Sequence, residues 1–253
     1  MIDIRSQIQR LRICIIIPTY NNESTIKVVI EQCLEWTDSI IVVNDGSTDR
    51  TQSLIDPYRD YGVQIISYDS NRGKGYALRR AFTYALQQQY RYAISMDADG
   101  QHFASDIPRF INALTYNPGS LIIGSRNLKA DGMPRGNTFA NRFSNFWFSV
   151  QTLQYIPDTQ TGYRLYPLDR MANLWWLTSR YEAELELLVY AAWHGIKLIP
   201  VQIHVYYPPQ GERVSHFRPF TDFVRISILN TILCILAIIY GIPSICIHKL
   251  MSR

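Results

Sequence analysis

Apolar and polar positions along this chain fall into blocks rather than a steady alternation. Short β-branched runs, "ICIII", "SIIVVN", "VQIIS", "YAISM" and "SLIIG", recur through the first half, and helix-period segments begin at about Ser24, Asp49, Gly75 and Ser105. Runs that are apolar at every position read as strands buried on both faces, and strands separated by helices predict a mostly parallel α/β sheet with right-handed crossovers. In such sheets ligands bind beyond the carboxyl ends of the strands. The first four runs each give way to a polar cluster: "PTYNNE", "DGSTD", "DSNRGKG" and "DADGQH". All four clusters are therefore expected on one rim.

The far end has a different pattern. From Ile226 to Ile247 no residue is charged, with Arg225 before and His248 and Lys249 after. That length can cross a bilayer core, but Asn230, Thr231, Gly241 and Pro243 dilute it and basic residues flank both sides, so a span, a re-entrant pair and an interfacial helix all stay open. Phe217, Phe220 and Phe223, with Arg218 and Arg225 alongside, suit a helix lying among lipid headgroups. These features divide the chain into residues 1–216, a catalytic-size α/β domain, and 217–253, a hydrophobic membrane-associating helical segment. The Pro-rich stretch at 206–216 is the expected connecting loop.

Composition changes this picture little. The chain has 253 residues, 47% apolar, with 17 Tyr and 5 Trp, which suits a globular domain with a membrane neighbour. A net charge of +4 is too mild to argue for nucleic acid, so anionic small molecules or lipid headgroups are the better partners. The four cysteines, Cys14, Cys33, Cys234 and Cys246, lie in apolar stretches without a paired spacing, and read as small buried residues of a reducing compartment. The N-terminus "MIDIRSQIQRLR" has no apolar h-region, which places the domain in the cytoplasm.

Candidate chemistry concentrates in "DADGQH". In extended backbone residues i and i+2 face the same way, so Asp97 and Asp99 project together from a strand end, with Gln101 two further on. Hard oxygen donors in that pattern suit Mg²⁺ or Mn²⁺ and, through it, a diphosphate leaving group. Two other phosphate devices are excluded. "NRGKGYAL" lacks the first glycine and the Ser or Thr of a P-loop, and "PTYNNEST" lacks the glycines of a dinucleotide turn.

Seven motifs in order, "IIIPTYNNE", "VVNDGSTD", "NRGKG", "DADGQH", "IIGSR", "DTQTGYR" and "YEAELELL", resemble the family 2 glycosyltransferases of GT-A fold, and in particular their dolichyl-phosphate mannose synthase-like branch. The resemblance covers about residues 12–216. It implies an inverting transfer from a nucleoside-diphosphate sugar to a lipid-linked acceptor such as a polyprenyl phosphate, at the cytoplasmic face of the membrane. It also implies roles. Pro18, Tyr20, Glu23, Val43 and Asp45 correspond to the nucleoside pocket, Asp97 and Ala98 to ribose-side contacts, and Asp99 with Gln101 to metal ligands. Arg126 corresponds to an arginine directed at donor phosphates, with Arg142 and Arg164 similar. One departure concerns the basic loop: Arg213 matches, but the second cation is displaced to Arg218, or replaced by His216. A lipid-phosphate acceptor needs no general base, whereas a hydroxyl acceptor needs one. Asp158 is then the favoured acid, ahead of Glu182 and Glu184, and at least one acid of the "YEAELELL" helix is expected to be solvated surface. A nucleotidyltransferase and a catalytically silent nucleotide-sugar sensor are the competing readings.

Overall fold

The computed structural model describes residues 3–126, 135–174, 176–207 and 219–251, the side chains of 135–140 and 219–223 excepted. Each apolar run forms a strand: β1 (Ile13–Thr19), β2 (Ile40–Asn44), β3 (Gln64–Ser67), β4 (Tyr92–Ser95) and β5 (Leu121–Ser125). With β6 (Arg164–Pro167) and β7 (Leu198–Gln202) they build one seven-stranded sheet in the order β3-β2-β1-β4-β6-β5-β7. The helices between them are α1 (Ile4–Leu11), α2 (Ile26–Leu34), α3 (Thr51–Ile55), α4 (Lys74–Gln87), α5 (Ile107–Tyr116), α6 (Arg135–Thr152), α7 (Leu168–Met171) and α8 (Glu182–Trp193).

The reason for continuous apolar runs is visible in β1. Ile13, Ile15 and Ile17 enter one core, with α1, α2 and α5, while Cys14 and Ile16 enter the other, with α4 and α8. Successive side chains alternate faces, so a strand covered on both sides must be apolar throughout. Each such isoleucine contributes roughly 1.5–3 kcal/mol of burial.

One strand departs from the parallel pattern: β6 runs antiparallel to both β4 and β5, pairing Ser95 with Arg164 and Ile123 with Arg164. Its reversal starts it at the rim where the parallel strands end. Residues 158–163, which precede it, are thereby delivered beside the end of β4.

The apolar tail is one continuous helical run, α9 (Pro219–Leu236), a π-helical turn at Ala237–Gly241, and α10 (Ile242–Met251). It is not a re-entrant pair. Pro243 has no N–H for the carbonyl four residues back, and the wider turn just before it absorbs the mismatch. One face, with Leu229, Leu233, Ala237 and Ile245, packs into the core against α6 and α8, while Ile228, Ile232, Ile235, Ile238 and Ile239 are exposed. Gln151 Nε2 donates to Asn230 Oδ1 at 3.0 Å and Ser244 Oγ to the Trp193 carbonyl at 2.7 Å, fastening the helix to the domain. Cys14 and Cys33 are buried as expected. Cys246, on the outer face of α10, is exposed and corrects that reading for the tail.

Candidate active site

The rim clusters converge on a cleft of about 640 Å³ at the carboxyl ends of β1, β2 and β4. Pro18, Tyr20, Asp45, Asp97, Ala98, Asp99 and Gln101 line it, joined by Asn71, Lys74 and Arg180. Local bonds hold the loops in register. Thr25 Oγ1, at the start of α2, donates to the Ala98 carbonyl at 2.6 Å. Gln101 O accepts from Tyr206 N–H at 2.9 Å, which brings the segment after β7 alongside.

Asp45 closes the β3–α4 loop over the cleft. Its Oδ1 accepts from Arg72 N–H at 2.8 Å, and its Oδ2 from Gly73 N–H at 2.7 Å and Asn71 Nδ2 at 2.9 Å. Burial pushes its carboxyl above the usual range, against those bonds. Asp97 faces Lys74, whose Nζ lies 2.5 Å from Oδ1 and 2.9 Å from Glu184 Oε2 on α8. Burial works against both charges, but their attraction outweighs it and holds Asp97 below and Lys74 above their ordinary values. Asp99 behaves differently. Burial, then the Asp97 charge, push it up to about 6, against the Gln101 N–H, which bonds to it at 3.0 Å from its own loop. Among the described residues no cation lies at salt-bridge distance from Asp99. Burial likewise pushes His102 down to about 4, so the imidazole behind Asp97 is neutral at pH 7.

A second cleft, about 530 Å³, adjoins the end of β5 and is lined by Phe103, Arg126, His204 and Tyr207. Arg126 Nε donates to Asp158 Oδ2 at 2.6 Å and its Nη2 to Oδ1 at 2.9 Å.

Residues 14–168 match the sequence model of the family described as Glycosyl transferase family 2, well over half of the chain. The chain belongs to that family. It is a glycosyltransferase, and its order of motifs agrees with the dolichyl-phosphate mannose synthase-like branch. Among its relatives, Glycosyltransferase AglJ of Haloferax volcanii is 31% identical over 83% of this chain and 68% of its own length. The UDP-N-acetylglucosamine–dolichyl-phosphate N-acetylglucosaminyltransferase of Methanococcus voltae is 28% identical over 77% of this chain and 86% of its own. Among solved structures, glucosyl-3-phosphoglycerate synthase from Mycobacterium tuberculosis in complex with Mn²⁺, uridine diphosphate and phosphoglyceric acid superposes with a TM-score of 0.62. That pair covers 92% of this chain and 81% of the other at 18% identity, and shows the shared GT-A fold.

Within this glycosyltransferase several expected site residues have other partners. Glu23 does not line the cleft; its Oε2 accepts from Arg50 N–H at 3.0 Å and Arg50 Nε at 3.2 Å, tying two rim loops together. Val43 is wholly buried on β2 and packs beneath α4, because the strand's alternation turns it into the core. Arg164 is wholly buried too. It donates to the carbonyls of Thr161, Glu184 and Thr159, and so braces the turn into β6 rather than meeting a donor phosphate. Asp158 is fully buried, and although burial raises its carboxyl, the Arg126 bonds outweigh that and hold it below the usual range. A carboxylate so held is a poor proton acceptor, and in this structure Asp158 anchors Arg126. The acids of α8 are not solvated either: Glu182, Glu184 and Glu186 are all buried. Glu186 accepts from the N–H groups of Leu177 and Thr178 and from the Thr178 hydroxyl. Arg142 is exposed on α6. Arg213, His216 and Arg218 lie outside the described residues.

Asn71 and Arg180 line the cleft without having been expected there, and so does Lys74. Its signal was present in "NRGKG", a lysine between glycines on the same rim, once the P-loop reading of that segment had been excluded.

Proposed function

We propose that this family 2 glycosyltransferase moves a sugar, with inversion, from a nucleoside-diphosphate donor onto a polyprenyl phosphate at the cytoplasmic face of a membrane. The observation that carries this reading is the state of the acids. Of those lining the donor cleft, Asp45 and Asp97 already hold partners, whereas among the described residues Asp99 is bonded by N–H groups of its own loop and faces no cation at salt-bridge distance. A carboxylate in that condition, crowded by a neighbouring negative charge, is matched to a cation. Asp99 and Gln101 fit Mg²⁺ or Mn²⁺ as hard oxygen donors, while Asp97 is engaged by Lys74, and the ion when bound would offset charge on the departing diphosphate.

The remaining steps belong to the chain. Tyr20 and Pro18 offer apolar surface to the nucleoside, and the loop closed by Asp45 borders the same cleft. The acceptor oxygen attacks the anomeric carbon from the side opposite the diphosphate; the C–O bond to the diphosphate breaks and its electron pair leaves with the nucleoside diphosphate. A hydroxyl acceptor would require a base, yet Asp158 is bound to Arg126 and Glu184 to Lys74, and Glu182 does not line the cleft. A phosphate oxygen is already anionic near neutral pH and needs only positioning and charge stabilisation. Arg126, part-buried at the second cleft, suits an anionic group there. The exposed isoleucines of α9 and α10, in a run with a mean hydropathy of 2.2, support contact with the bilayer that carries such an acceptor.

The test is transfer by purified protein with Mn²⁺, a panel of UDP- and GDP-sugars and polyprenyl phosphate, with the product read by mass spectrometry. EDTA and Asp99→Asn should each lower turnover about a hundredfold or more, the scale of losing one group that stabilises developing charge. No glycolipid from any donor would overturn the proposal.

A further inference from the structure

Lys74 is built into the cleft more tightly than a scaffold cation requires. It opens α4, its side chain is 13% exposed, and it faces two carboxylates from different elements, Asp97 after β4 and Glu184 on α8. Two glycines make that meeting possible. A Cβ on Gly75 would collide with the Ala183 side chain, so α4 and α8 touch at their N-terminal ends. A Cβ on Gly162 would collide with Lys74 Nζ and come within 2.6 Å of Asp97 Oδ2. Ser95 Oγ donates to the Gly162 carbonyl at 2.6 Å and ties the loop carrying Gly162 to the end of β4.

The chain thus gives up side chains at two positions to bring one ammonium against an acid that is itself open to the cleft, its side chain 26% exposed. Stability alone is a weak reason for that arrangement, since apolar residues of similar volume commonly replace buried ion clusters without loss. Orientation is a better one. With Oδ1 held by Lys74 and Oδ2 3.9 Å from the His102 ring, Asp97 is fixed in orientation, and the ammonium leaves a positive charge at the wall of the cleft.

We propose that Lys74 is a positioning residue for glycosyl transfer, holding Asp97 at the rim and coupling that rim to α8 through Glu184. This rests on the donor reading above and adds a residue to it. One consequence separates the role from scaffolding. Because Lys74 engages Asp97 Oδ1, a cation in the cleft relies on Asp99 and Gln101, and removal of the ammonium leaves those donors in place while Asp97 loses its orientation.

The experiment compares Lys74→Arg, which keeps the charge but not the fit beside Gly162, with the double variant Lys74→Met, Glu184→Leu, which removes one charge of each sign. In folded protein, kcat should fall about 10- to 100-fold with donor KM within about threefold. Mn²⁺ affinity, measured by calorimetry without donor, should stay within about threefold of wild type, since the removed group is not a ligand. A double variant with wild-type kcat would overturn the proposal. So would failure of both variants to fold, or parallel loss of kcat, donor affinity and Mn²⁺ affinity, each of which marks a scaffold only. Wild-type protein that binds neither Mn²⁺ nor a nucleoside diphosphate would instead sink the donor reading, whatever the variants do.

Discussion

Asp158 shows how much one buried carboxylate can organise. Arg126 reaches it through its backbone N–H, Nε and Nη2, and Asn141 Nδ2 and Gln160 N–H add a bond each. Replacing it with Asn leaves a part-buried guanidinium without its counter-charge, and should cost about 3 kcal/mol in urea denaturation at pH 7. The pH dependence has a definite sign. The native pKa lies below the unfolded value of about 4, so this stabilisation is full above about pH 4 and is lost as pH falls through the native pKa. Wild type should therefore lose stability below about pH 4 more steeply than Asp158→Asn, and equal slopes would contradict the assignment. At this scale the Asp97, Asp99 and Gln101 group was legible in the sequence, because extended backbone forces i, i+2 side chains to one side. Arg164 and Asp158 were not legible. Their type suited a phosphate or a proton, but their partners come from α6, α8 and the end of β5, which spacing along the chain cannot bring together.

The five early strands and the helices between them arise from apolar blocks, so their existence could be read directly. The reversal of β6 could not, since "RLYP" carries no mark of direction and its antiparallel place is set by the neighbours it pairs with. The α8 acids mislead for a related reason. A helix covered on nearly every side still holds three glutamates, because Lys74 and the Leu177–Thr178 backbone satisfy two of them. Glu186→Ala should therefore leave unpaired N–H groups and cost about 1–3 kcal/mol, seen as a lowered melting temperature with an unchanged helix signal. The seam between α6 and α9 depends on paired amides in the same way. Gln151→Leu or Asn230→Leu alone strands a buried amide and should cost about 1–3 kcal/mol, whereas the double variant should recover most of that loss. A double-mutant cycle in denaturant checks it; strictly additive losses would mean the amides do not depend on each other.

At the scale of the molecule, the domain and its apolar tail are one packed body with an outer face of isoleucines. Substituting Ile232→Asp with Ile239→Asp should lower partitioning onto anionic lipid vesicles in a flotation assay and leave the melting temperature nearly unchanged, because both side chains are exposed. Deleting residues 226–253 should behave otherwise. It uncovers Trp193 and its neighbours, so a less stable, aggregating protein is expected in size-exclusion chromatography. By itself the sequence determined the layered α/β plan, the rim that collects the polar clusters and the acids at the end of β4, because buried strands must be apolar and their ends must carry the chemistry. Tertiary structure alone decided which charges neutralise one another, that β6 turns back beside β4, and that the tail lies against α6 and α8. Those outcomes depend on which surfaces meet across the fold, and a local pattern holds no record of its distant partner.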